Sequence, residues 1–108
     1  MSRVRRTLAA CAILSLITVP ALAGSTIVVS QKDRAFMTRE VHIHVGDSVR
    51  FTDDDEFAHQ VFVSAPTFAY ESDEQEPGQT VVVTFRRPGT FDVQCRIHPK
   101  MHLRVVVR

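Results

Sequence analysis

The sequence predicts an all-β chain: a small β-sandwich or barrel of about seven strands, formed by residues 24–108 as one domain. Short segments alternate apolar and polar residues, turn signals separate them at regular intervals, and no stretch shows helical periodicity. Strands at this spacing, with 85 residues left after residue 23 of 108, suit one small sandwich and no second domain.

The first 23 residues stand outside that pattern. Arg3, Arg5 and Arg6 precede an almost wholly apolar run from Thr7 to Val19, which Pro20 ends. Ala21-Leu22-Ala23 then supplies a small-x-small pattern, so residues 1–23 read as a secretory signal peptide cleaved after Ala23. The working chain is thus expected in the periplasm. The apolar run is too short to span a bilayer, and no membrane anchor is expected. Leu8-Ala9-Ala10-Cys11 resembles a lipoprotein-type cleavage box, but its apolar segment follows the cysteine instead of preceding it.

Ile27 to Val29 is the first expected strand. Val41, Ile43 and Val45 alternate with His42 and His44 before the Gly46-Asp47 turn. Val49 and Phe51 alternate with Ser48, Arg50 and Thr52, and His59 to Val63 forms the next strand. Val81, Val83 and Phe85 run into the turn Arg87-Pro88-Gly89, and Phe91, Val93 and Cys95 alternate with Thr90, Asp92 and Gln94. Leu103, Val105 and Val107 close the chain. The acidic stretches Asp53 to Glu56 and Glu71 to Glu76 read as loops, the second ending at Pro77-Gly78 and reading either as a plain solvated loop or as a docking patch for a basic redox partner.

Loss of the three leader arginines leaves ten Lys and Arg against twelve Asp and Glu, a balance of −2. Nucleic-acid binding calls for a clustered basic face, so that class is set aside. Cys11 leaves with the leader, and Cys95 then has no intramolecular partner. In an oxidising compartment such a cysteine means an intermolecular disulfide, a reactive thiol or a metal ligand.

The segment Cys95 to His102, CRIHPKMH, favours the metal. Strand alternation puts Cys95 on one face with Phe91 and Val93, and His59 on one face with Val61 and Val63, so both point inward. Pro99 helps end the strand after Cys95, and the loop returns His98 and Met101 towards the same place. One thiolate, two imidazoles and one thioether do not suit structural zinc, which rarely takes a thioether, nor calcium or magnesium, which want oxygen. They match the blue-copper pattern of two His and one Cys with a weak axial Met. His42 and His44 share a strand face, but a plain solvated surface is the better reading of them.

These residues resemble a known family. Val45-Gly46-Asp47-Ser48-Val49, Ala58-His59-Gln60-Val61, Arg87-Pro88-Gly89-Thr90-Phe91 and Cys95-x-x-His98-x-x-Met101 together look like a cupredoxin, most like the amicyanin branch of the plastocyanin-like proteins. The resemblance implies a Greek-key sandwich, one copper ion cycling between Cu(I) and Cu(II), and His59, Cys95 and His98 as strong ligands with Met101 axial. It implies a monomeric carrier of single electrons whose partner is a redox protein such as a c-type cytochrome or a dehydrogenase. Two residues depart from the pattern. Gln60 stands where the family has an Asn tying that strand to the cysteine loop, and His102 follows Met101, able to compete for the metal or act as a pH-sensitive neighbour. Copper delivery, storage or tolerance is the alternative function. An enzyme is not expected, since the inferred site is filled and the chain lacks further histidine clusters.

Overall fold

The alternating segments form two facing sheets. The computed structural model describes residues 2–4, 7, 9–17 and 24–108, and among them it holds nine strands and no helix. The expected cleavage motif, Ala21-Leu22-Ala23, lies outside the described residues. No helix among the described residues is long and apolar enough to cross a membrane. The strands are β1 (Thr26–Lys32), β2 (Ala35–Phe36), β3 (Glu40–Ile43), β4 (Ser48–Asp53), β5 (Val61–Ala65), β6 (Phe68–Glu71), β7 (Thr80–Thr84), β8 (Gly89–Cys95) and β9 (His102–Val107).

One sheet has the order β2-β1-β4-β7 and the other β3-β9-β8-β5-β6. β1 pairs parallel with β4, and β3 parallel with β9, while the other neighbours are antiparallel. A tight hairpin cannot join a parallel pair, so the chain crosses repeatedly between the sheets. This is the Greek-key sandwich the resemblance implies.

Two strands escaped the sequence reading. β2 is only two residues long, too short to show alternation. It follows a two-residue turn in which Asp33 and Arg34 both have positive φ, 54° and 56°, the backbone of a type I′ hairpin. β6 ends at Glu71, which the acidic stretch had placed in a loop. Asp53 is likewise the last residue of β4 and is buried, sharing an inward face with Val49 and Phe51.

The core follows the alternation. Val49, Phe51, Val61, Val83, Val93, Leu103 and Val105 are each at most 1% exposed. Phe85 and Phe91 pack with ring centroids 5.7 Å apart, and Phe68 lies against both. Burying a side chain of this size stabilises the fold by about 1.5–3 kcal/mol. At the opposite turn, Gly46 (φ 93°) adopts a conformation that side-chain-bearing residues avoid, and its N–H donates to the Phe85 carbonyl at 2.7 Å. The start of β5, the end of β8 and the start of β9 come together at one end, because Val61 is in register with Cys95 and Gln94 with His102.

Candidate metal centre

Two residues before Val61, the chain carries His59 beyond the end of β8. Its N–H donates to the Gln75 carbonyl at 2.9 Å and its carbonyl accepts from Gln75 at 2.7 Å, an isolated bridge that fixes the backbone before β5 begins. Arg96 N–H donates to the Gln60 carbonyl at 2.9 Å, so the ladder runs one step past Cys95. From there the chain turns over residues 96–101, closed by Met101 N–H on the His98 carbonyl at 3.0 Å.

This local geometry brings three donor atoms together. The Cys95 Sγ lies 3.7 Å from His59 Nδ1 and 4.0 Å from His98 Nδ1, and the two nitrogens are 3.3 Å apart. A metal in a trigonal plane, about 2.0 Å from each nitrogen and about 2.3 Å from sulfur as for zinc, would separate the same atoms by about 3.5–3.7 Å. The triangle therefore has the size of a coordination sphere. His59, Cys95 and His98 are the one group of three or more His, Cys, Asp or Glu among the described residues whose donors converge closely enough to hold an ion. Met101 is buried at the end of the same loop, 2% exposed. A soft sulfur, two imidazoles and a nearby thioether fit copper better than zinc or a hard cation.

Second contacts orient the rings. His59 is fully buried, and its Nε2 lies 3.0 Å from Asp55 Oδ2. Nε2–H donates to that carboxylate, which leaves the Nδ1 lone pair facing Cys95 and His98. Burial would raise the Asp55 pKa, but N–H groups of Arg34 and Glu56 and the His59 ring outweigh it and hold the carboxyl below its ordinary range. Asp53 lies deeper, with Oδ1 3.9 Å from His59 Nε2. Burial pushes its carboxyl up, partly offset by a hydrogen bond from Asp55 N–H. Gln60 N–H points at the Cys95 sulfur from 3.4 Å and would donate to a thiolate.

His98 is held more loosely. Its ring meets Phe57 edge-on at 6.1 Å between centroids, and the Arg34 guanidinium lies over Phe57 at 4.3 Å. Burial lowers the His98 pKa, helped by positive charge from His59 and Arg34.

The two departures resolve differently. The Gln60 side chain reaches away from the cysteine loop, donating to the Ser72 carbonyl at 2.9 Å and to Glu71 Oε1 at 3.3 Å. Backbone bonding by Arg96 supplies the tie between strand and loop instead. His102 is exposed, its Nδ1 3.1 Å from both Asp92 oxygens, so it faces outward while Met101 faces inward. His42 pairs with Glu40 at 3.1 Å and His44 with Asp47 at 3.7 Å, neither as part of a metal-sized cluster among the described residues.

Sequence reasoning missed Asp53 and Asp55, treating both as loop charges. Alternation from Val49 and Phe51 carried the signal for Asp53. Nothing local distinguishes Asp55 from Asp54, which bonds Thr52 Oγ1 at the surface.

Known proteins agree with this geometry. The family model for copper binding proteins of the plastocyanin/azurin family matches residues 23–108. The chain is 41% identical to amicyanin-alpha of Methylorubrum extorquens over 90 residues, covering 79% of this chain and 73% of that one. It is 32% identical to amicyanin of Paracoccus denitrificans over 89 residues, covering 80% of this chain and 68% of that one. A solved structure of a reduced amicyanin variant superposes with a TM-score of 0.72 at 31% identity, over 82% of this chain and 87% of its own. Sandwich, donor set and relatives converge, and the chain belongs to the plastocyanin/azurin family of copper binding proteins, a cupredoxin of amicyanin type with one copper ion as its cofactor.

Proposed function

We propose that residues 1–23 are removed on export and that residues 24–108 work in the periplasm as a monomeric blue copper carrier, passing single electrons between redox proteins such as a dehydrogenase and a c-type cytochrome. His59 Nδ1, Cys95 Sγ and His98 Nδ1 would hold the copper, with Met101 as the weak axial donor. The observation that carries this reading is the convergence of those three donor atoms at 3.3–4.0 Å, with His59 and Cys95 buried and His98 half-buried. When bound, copper supplies the one-electron couple.

The chain's own residues do the rest. Asp55 fixes the tautomer of His59, so its nitrogen does not have to reorient when the metal's charge changes. Gln60 N–H can share the negative charge of the Cys95 thiolate. Fully buried Val61 and Val93 beside Cys95 exclude water from the sulfur. His98 lies between the buried donors and the outer surface near exposed Ile97 and Pro99, giving the centre a route to a partner.

Voltammetry of the copper-loaded protein, run beside a chelator challenge, tests the proposal. A carrier shows a reversible one-electron wave and retains its copper. A protein for copper delivery, storage or tolerance loses copper readily to the chelator and gives no reversible wave.

A further inference from the structure

Charge is unevenly spread around the exposed side of the centre. Two adjacent grooves share Lys100. One, of about 490 Å³, is lined by Arg39, Lys100, Arg104 and His102, with Asp92 and buried Met101 also in its wall. The other, of about 350 Å³, is lined by Ile97, His98 and Pro99 between Arg34 and Lys100. Four of the ten Lys and Arg in residues 24–108 therefore line these two grooves, Arg34 and Lys100 in the one that holds His98, and Arg39 and Arg104 in the one on the other side of Lys100.

These cations are mostly uncommitted. Arg34, Arg39 and Lys100 make no ion pair among the described residues, and Arg104 reaches Glu40 only at 3.5 Å. Asp92, the one carboxylate in the grooves, is bonded to His102. Eight of the twelve acidic residues instead fall within Asp53 to Glu56 and Glu71 to Glu76. Of these, Asp53 is buried, Asp55 bonds His59, and Glu71 pairs with Arg96 at 3.1 Å. The balance of −2 for residues 24–108 thus conceals a basic collar on one side of the copper end.

We infer that the grooves on either side of Lys100 are a docking surface for an acidic redox protein, one that presents carboxylates around an apolar contact. The inference rests on the carrier reading and adds the partner's charge to it. Ile97 and Pro99 give the apolar centre through which close approach to His98 occurs. Arg34, Arg39, Lys100 and Arg104 give the rim that steers and orients the partner, and Arg fits carboxylates bidentately. A partner with a basic contact face would meet four like charges there.

Two probes test this independently. Hexacyanochromate(III), a redox-inert paramagnetic trianion, should broaden the NMR signals of Arg39, Lys100 and Ile97 first. Broadening centred elsewhere, at Arg86 and Arg87 for example, overturns the assignment whether or not the protein carries electrons. Oxidation of the reduced protein by hexacyanoferrate(III), in which one electron passes to the iron complex, supplies the kinetic arm. A net charge of −2 alone would make that rate rise with salt. The collar makes it fall, roughly tenfold between about 10 mM and about 0.5 M salt. The double variant Arg39→Glu with Lys100→Glu should leave the visible spectrum unchanged, slow hexacyanoferrate roughly tenfold at low salt and reverse the salt dependence. The cationic oxidant tris(phenanthroline)cobalt(III) should gain in the same variant. An anion rate that rises with salt in the unaltered protein, or that ignores the double substitution, overturns the inference. Failure of the carrier reading has a different signature, in which neither oxidant reacts while the broadening by hexacyanochromate stays at Lys100.

Discussion

His59 and His98 offer the same ring nitrogen to the same point but are held in opposite ways. His59 is 0% exposed, has both backbone groups bonded to Gln75, and hands its second nitrogen to Asp55. His98 is half-buried on a six-residue loop, with Phe57 packed edge-on against it. One side of the centre is built into the sandwich, and the other is presented by a turn. Geometry and access are thus assigned to different histidines: the buried one fixes the donor triangle, and the loop one brings it to the surface.

The largest expected effect is on the atom both histidines face. Cys95→Ser removes the thiolate while nearly conserving volume, so the copper protein should lose its visible colour. The metal-free fold should survive with a change of about 1–2 kcal/mol, as measured by chemical denaturation. Colour retained in that variant would mean that the sulfur is not a ligand.

Next come substitutions that compare the two sides directly. Asp55→Ala should weaken copper binding by about 10–100-fold, because His59 loses the group that orients it. Phe57→Ala, the corresponding change beside His98, should cost far less in competitive chelator titrations. Equal losses would erase the distinction between a built-in and a presented histidine.

Met101→Gln should preserve the visible band but lower the reduction potential, since an oxygen donor favours Cu(II) over Cu(I). Voltammetry reads this, and an unchanged potential would remove Met101 from the axial position.

The smallest effect is in the metal-free protein. Burial lowers the His98 pKa below 6.5, with His59 and Arg34 adding to the shift. Between that lowered value and 6.5 the unfolded chain binds more protons than the folded one. This contribution to stability is therefore complete above pH about 6.5 and is lost as pH falls through the window. NMR titration of the His98 ring checks the direction, and a ring titrating above 6.5 contradicts it.

Much of the fold was legible because a half-buried strand repeats every two residues. That period alone puts Cys95, His59, Phe51 and Val105 on inner faces. It was silent on β2, where two residues cannot show a period, and on Phe68 to Glu71, where Glu71 read as part of an acidic loop. The donor triangle was legible from chemistry: a cysteine, two histidines and a methionine at the right spacing. Its support was not. Asp55 and Gln75 meet His59 only through folding, Asp55 from a loop and Gln75 from within an acidic run, and neither carries a local signature. Gln60 and His102 show the reverse, since the sequence marked both as unusual and only the fold gives their contacts, Ser72 and Asp92.

The most direct test of the centre is the absorption and EPR spectrum of the copper-loaded protein. Copper held by His59, Cys95 and His98 gives an intense visible thiolate-to-Cu(II) band, together with the narrow copper hyperfine splitting of a covalent Cu–S bond. A colourless Cu(II) protein with the wide splitting of nitrogen and oxygen ligands would contradict it.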